Sequence, residues 1–185
     1  MLDKFFKKTK EIVNKLMSYF ENKKKLPNCG DSDEKFEILR GNFIANGQSR
    51  SVWKVKGHDD YVLKESFEGK ECININEAKY YYSANNEGLT KIIACLAEIH
   101  SISETGKYII MEALDTSVSL TGKTCNVPKE VADKHKKNFG IKNGVIKCLD
   151  YGGVAVEGKI SEKPIQHQFP SDEAVAETRA LIDLF

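Results

Sequence analysis

No apolar run in this 185-residue chain approaches the roughly 20 residues of a membrane-spanning helix. No C-x-x-C pair occurs among its five cysteines, Cys29, Cys72, Cys95, Cys125 and Cys148. Their odd number and scatter, in or beside apolar runs, fit reduced, packed thiols in a cytoplasmic setting. They argue against a disulfide framework, and against a zinc site completed by the four dispersed histidines. Neither sign of charge prevails: the net charge is +1, which gives no overall pull toward nucleic acid. An internal repeat and a low-complexity tract are absent too. No secretory apolar segment follows the first charges, so export is not expected.

Charge is nevertheless uneven. Residues 1–25 hold eight lysines against three acids, about +5, which leaves about −4 for the remainder. Phe5, Ile12, Leu16 and Phe20 recur there at helical spacing, widened by Phe6, Val13 and Met17, with lysines on the other face. The pattern predicts a basic amphipathic helix over 2–22, within a first unit spanning 1–27. Its apolar face docks on the domain core or, alternatively, on a membrane surface or a partner.

After a linker, the pattern changes to strands. Phe36–Ile44 and Ser51–Lys56 flank the turn-rich Ala45–Arg50, and Tyr61–Ser66 completes an antiparallel meander. A Tyr-rich helix is expected over Asn74–Ala84. Lys91–His100 and Lys107–Glu112 are apolar and β-branched, Asp115–Asn126 is a polar connector, and Pro128 opens a helix that ends near Lys136. Phe139–Ile141 and Val145–Leu149 flank Lys142-Asn143-Gly144, and Asn-Gly is a strong hairpin signal. Residues 154–170 read as loop, and Ser171 caps a closing helix over Asp172–Leu184.

The order of motifs carries the chemistry. A glycine-containing loop joins two strands. Lys64 lies in the next strand, in Val62-Leu63-Lys64, and Glu77 on the helix after it. Two further strands end in Ile109-Ile110-Met111-Glu112. Then come Asp133-x-x-x-x-Asn138, a hairpin, and Asp150-Tyr151-Gly152. Thr121-Gly122-Lys123-Thr124 has the ending of a phosphate-binding P-loop, but the first glycine of that pattern falls on Ser117 and no buried strand leads into it.

This order resembles the protein kinase-like superfamily, in particular its small bacterial and phage-encoded members, over residues 36–153. The resemblance implies an α+β fold: a five-stranded antiparallel N-lobe sheet with one helix over 36–114, and a reduced C-lobe over 115–185. It implies ATP and Mg²⁺ as cofactors. Gly47 and Ser49 would approach the phosphates, although Ala45 and Arg50 stand at the other two glycine places of G-x-G-x-x-G. Lys64, paired with Glu77, would hold the α- and β-phosphates. The backbone of Glu112 and Leu114 would meet the purine edge, with Met111 behind it. Asp133 would orient an attacking hydroxyl, Lys136 would neutralise the transferred phosphate, and Asn138 and Asp150 would ligate the metal.

Three departures qualify what is implied. Val131-Ala132 replaces His-Arg before Asp133. Barely twenty residues separate Glu112 from Asp133. Only 33 residues follow Gly152, with no Ala-Pro-Glu among them. The expected function is therefore an ATP- and magnesium-binding kinase-like phosphotransferase directed at something other than an ordinary protein substrate. The alternatives are a catalytically inactive pseudokinase that binds or inhibits a protein partner, and a membrane-recruited adaptor. No nucleic-acid partner is expected. The small size and the wealth of Lys, Asn and Ile fit an AT-rich phage or mobile-element genome.

Overall fold

Successive residues of a strand point to opposite faces of a sheet, so the register decides which side chains meet. The computed structural model describes residues 25–154, 158–171 and 174. The expected first helix over 2–22, and all but Ala174 of the closing helix over 172–184, lie outside the described residues. The fold is mixed α+β. A short helix α1 (Asp33–Glu37) leads into β1 (Arg40–Asn46), β2 (Arg50–Val55) and β3 (His58–Ser66). Helices α2 (Glu71–Asn86) and α3 (Thr90–Ile93) precede β4 (Ile99–Ile102) and β5 (Tyr108–Glu112). These five strands form one antiparallel sheet in the order β1-β2-β3-β5-β4.

Leu63 stands opposite Trp53 and Ile110, and all three lie on one face. Phe36 and Leu39, from α1 and the turn after it, cover that face, together with Val55 and Tyr108. Burying side chains of this size contributes about 1.5–3 kcal/mol each. That is what holds α1, because a helix of one turn does not persist by itself. Lys64 stands opposite Val52 and Ile109, and Val62 opposite Met111, so these residues share the other face. Helix α2 packs over part of it through Ala78, Tyr81 and Ala84.

Beyond the sheet, β6 (Thr124–Val127) pairs with β9 (Ile165–Gln168), and β7 (Phe139–Lys142) with β8 (Val145–Cys148). The β7–β8 turn is Asn143-Gly144, both with positive φ (51° and 78°), as a two-residue hairpin of that type requires. This smaller part does not stand alone. One apolar cluster runs from Tyr80, Leu96 and Ile109 to Val127, Phe139, Tyr151 and Phe169. The amide of Ala97 donates to the Cys148 carbonyl at 2.8 Å, and that of Cys148 to the Cys95 carbonyl at 2.8 Å.

Several expected elements change. Phe36–Ile44 is not one strand: α1 takes its start, because Phe36 and Leu39, three residues apart, are both buried by the sheet. Lys91–His100 divides into α3 and the start of β4. The expected helix from Pro128 to Lys136 is absent. A single turn closes where the Val131 amide meets the Pro128 carbonyl at 3.1 Å. After it the Asp133 carboxylate and His135 Nδ1 accept from the amides of His135 (3.0 Å) and Lys137 (3.2 Å). Side chains that capture nearby amides in this way compete with helix formation. Strands β6 and β9 arise in stretches that read as connector and loop; their pairing is between distant segments, Val127 opposite Ile165. Cys95, Cys125 and Cys148 are buried thiols, while Cys29 and Cys72 are exposed. No helix among the described residues is long and apolar enough to cross a membrane.

Candidate functional site

The sheet face that carries Val52, Val62, Lys64 and Met111 is left partly uncovered by α2, and a cleft of about 1110 Å³ opens there. The β1–β2 turn and the Asp133–Phe139 segment form its two lips. Gly47, Ser49, Lys64, Glu112, Leu114, Asp133, Lys136, Asn138 and Asp150 all line it. Glu77 is buried behind Lys64. Every site residue nominated from the sequence is thus gathered in one place.

The turn at Gly47 is tight. Its amide donates to the Arg50 carbonyl at 2.8 Å, and the Ser51 hydroxyl to Asn46 Oδ1 at 2.8 Å. The Gly47 N–H is thus committed to the turn. A Cβ at Gly47 would meet only the Arg50 carbonyl, at 3.6 Å. The backbone does not demand glycine there, and its missing side chain leaves the lip of the cleft open.

A four-membered ion cluster forms the floor. Lys64, Arg50 and Glu77 are 3%, 5% and 0% exposed. Lys64 Nζ donates to both Glu77 oxygens, at 3.2 and 3.1 Å, and to the Leu149 carbonyl. Arg50 donates to Glu77 Oε2 at 2.5 Å and to Asp150 Oδ1 at 2.6 Å. The amide of Tyr151 adds a further donor to Glu77 Oε1 at 2.9 Å. Burial alone would push the Glu77 carboxyl up, but the Arg50 and Lys64 charges outweigh it and hold the group below the usual glutamate value. Burial, with Arg50 as a near cation, draws the Lys64 ammonium below its ordinary value despite Glu77. Burial also opposes the Arg50 charge, yet Glu77 and Asp150 more than offset it, so the guanidinium stays firmly protonated.

The facing lip is built locally. Its Asp133 accepts the His135 amide, which, with Asn138 beside it, lowers the carboxyl below the usual aspartate range. Asn138 Nδ2 donates to the Asp133 carbonyl at 3.3 Å, and the Leu149 amide donates to the Asn138 carbonyl at 2.8 Å. The last bond ties the loop to the segment that carries Asp150. Asp133 and Lys136 are exposed to the cleft mouth.

At the far end, alternate backbone amides are used. Ala113 donates to the Asp60 carbonyl and Asp115 to the Ile141 carbonyl, both at 2.8 Å. Between them, the Leu114 amide has no protein acceptor among the described residues. A planar heterocycle with an acceptor nitrogen fits such a donor at the end of an apolar slot lined by Val52, Val62 and Met111. The Glu112 amide is already bonded to the Glu98 carbonyl at 2.8 Å, and its Oε2 accepts from Lys147 at 2.7 Å.

Arg50 and Asn74 are the site residues that sequence reasoning missed. Arg50 had a visible signal, because it stands where the third glycine of the loop pattern belongs. Asn74 had none beyond its place on the helix that carries Glu77. Arg50 also bears on the metal. Mg²⁺ requires oxygen donors with charge to spare. Here the Asp150 carboxylate is already neutralised by a guanidinium, and the cluster balances two cations against two carboxylates. With Arg50 in this place, the expected pair of Asn138 and Asp150 does not fit a magnesium site. No family model matches the chain, and no curated protein matches it at a significant level.

Proposed function

We propose that this chain is a kinase-like ATP-binding protein with a reduced second lobe. The observation that carries the reading is the Lys64–Glu77 pair, at 3.1 Å, buried at the floor of a cleft with the Gly47 turn on one lip and Asp133 and Asn138 on the other. A buried lysine needs a partner, and Glu77 supplies it while leaving Nζ along the cleft floor. In the kinase template this strand lysine and helix glutamate must be paired for the phosphates to be held. The purine would lie against Val52, Val62 and Met111 and accept from the Leu114 amide. As a phosphotransferase, the protein would use Asp133 to orient the acceptor hydroxyl and Lys136 to balance charge on the transferred phosphate.

A second reading has its own support: a pseudokinase that binds nucleotide without transferring phosphate and acts on a protein partner. The Arg50–Asp150 contact, at 2.6 Å, favours it, because it occupies the carboxylate from which a catalytic metal would be held.

Two measurements test these readings. ATP at millimolar concentration should raise the melting temperature, since a ligand that favours the folded state stabilises it by mass action. No shift would remove the nucleotide reading. Radiolabel transfer from ATP by the wild type and by Asp133→Ala then separates the two. Transfer lost in the variant supports the phosphotransferase, and equal background from both supports the pseudokinase.

A further inference from the structure

Arg50 is seated in a site built for a guanidinium. Its Nη1 donates to Glu77 Oε2 at 2.5 Å and to Asn74 Oδ1 at 3.1 Å; its Nη2 donates to Asp150 Oδ1 at 2.6 Å. Asn74 is fully buried, and its own amide nitrogen is bonded to the carbonyls of Gly106 (3.0 Å) and Lys107 (2.9 Å). Those two bonds set the amide so that its oxygen faces Arg50. The Arg50 backbone is anchored as well: it accepts from Gly47 and stands opposite Ser66 in the β2–β3 ladder. Side chains from α2 and from the segment after β8 therefore converge on the guanidinium that β2 carries.

The balance of that charge points to a ligand. Lys64 and Arg50 cancel Glu77 and Asp150. Without Arg50 the cluster would be −1, with a half-exposed carboxylate turned to the cleft. That arrangement invites a divalent ion, and with Arg50 the invitation is withdrawn. Among the described residues, no group of three or more His, Cys, Asp or Glu side chains converges on a metal position elsewhere.

We propose that Arg50 is the resident cation of the phosphate subsite, and that the cleft takes a nucleoside triphosphate free of divalent metal. The inference rests on the nucleotide reading above. A guanidinium is permanently charged, so with its fork taken by Glu77, Asn74 and Asp150 it acts on a nearby phosphate through its charge and not through direct hydrogen bonds. At this position it neutralises Asp150, which would otherwise repel the phosphates, and it lies beside Lys64 on the cleft floor. Lys136 and Lys137 on the facing lip supply further positive charge. The cluster itself is neutral, so it needs no ion to balance Asp150, and the positive charge that faces the phosphates comes from Lys136 and Lys137.

Isothermal titration of the full chain with ATP, in EDTA and in excess Mg²⁺, tests this. Wild type should bind with dissociation constants within about two-fold of each other in the two buffers. Arg50→Gln should bind at least ten-fold more weakly in EDTA and recover in Mg²⁺, because Asp150 is released to hold an ion. Asp150→Asn should tighten binding in EDTA by about three-fold, by removing a negative charge from beside the phosphates. That direction is opposite to the loss expected of a metal ligand, and it stands as a test even where Arg50→Gln fails to fold. Wild-type binding that is ten-fold or more tighter with Mg²⁺ overturns the inference and leaves the nucleotide reading intact. So does weaker binding by Asp150→Asn. Absence of binding in both buffers overturns the inference and the nucleotide reading together.

Discussion

Glu77→Gln is the substitution that asks most of the ion cluster. Glu77 accepts two bonds from Lys64, its principal bond from Arg50 at 2.5 Å, and one from the Tyr151 amide. Glutamine keeps the shape and one acceptor oxygen but removes the charge. Two buried cations then face only Asp150. Removing one partner of a buried ion pair typically costs about 3–5 kcal/mol. Arg50 keeps Asp150 and Asn74, and Lys64 keeps the Leu149 carbonyl, so the lower end, about 3 kcal/mol, is expected at pH 7. For a domain of this size each kcal/mol moves Tm by about 2–4 °C, which gives a fall of about 6–12 °C by calorimetry. The pH dependence has a definite sign. Glu77 is held below its ordinary value of 4.5 in the folded protein, where the Arg50 and Lys64 charges overcome burial. A depressed carboxyl contributes stability that is complete above its unfolded value and is lost as pH falls through the folded one. The gap between wild type and variant should therefore be constant near neutrality and close progressively below pH 4.5. A gap under about 1 kcal/mol at pH 7, or one that stays parallel down to pH 3, would refute the argument from paired buried charge.

Three further substitutions probe the surroundings of the cluster. Gly152→Ala puts a Cβ 2.6 Å from Ile73 Cγ2 and 2.7 Å from the Ile73 carbonyl on α2. Overpacking against backbone should cost about 1–3 kcal/mol in urea unfolding, and an unchanged midpoint would contradict the packing described. Tyr151→Phe removes the hydroxyl that donates to the Ala97 carbonyl at 2.8 Å, and should cost about 1 kcal/mol in the same assay; a stabilised variant would oppose this. Gly47→Ala has room, its Cβ meeting only a carbonyl at 3.6 Å, so Tm should hold while ATP affinity falls. A drop in Tm with affinity unchanged would assign Gly47 to the turn rather than to the cleft.

The site was legible in the sequence to the extent that its residues sit on local patterns. Lys64 could be placed because Tyr61–Ser66 follows the Gly57–Asp60 turn as the third strand of a meander, and Asn138 and Asp150 because an Asn-Gly turn forces two short strands to run side by side. Asp133 was placed by its spacing from Asn138 even though the expected helix before it does not form. What escaped depends on distant partners. The Arg50 contacts span 24, 27 and 100 residues, so nothing next to Arg50 in the chain announces them. The β6–β9 pair joins segments about forty residues apart; β6 alternates exposed and buried over only four residues and β9 buries none of its four, so neither announces a partner. Helix α1 begins in the stretch that read as linker and takes only Phe36 and Glu37 from the expected strand; a single turn has too few residues to show a helical period.

Tyr151 shows how the cleft is held together. Its amide is bonded to Glu77 and its hydroxyl to Ala97, and its ring lies 6.2 Å from that of Tyr80 on the same helix as Glu77. Gly152, the next residue, packs against the backbone of Ile73 one turn earlier in that helix. The segment that positions Asp150 is therefore fastened directly to α2, and α2 to the sheet that carries Lys64. A single apolar cluster runs through all of them, from Ala78 to Phe169. The spacing between Lys64 and Asp150 is set by this shared core. Preorganisation of that sort reduces the ordering cost of binding. It also means that the lips of the cleft, not its floor, are the parts left to adjust around a ligand.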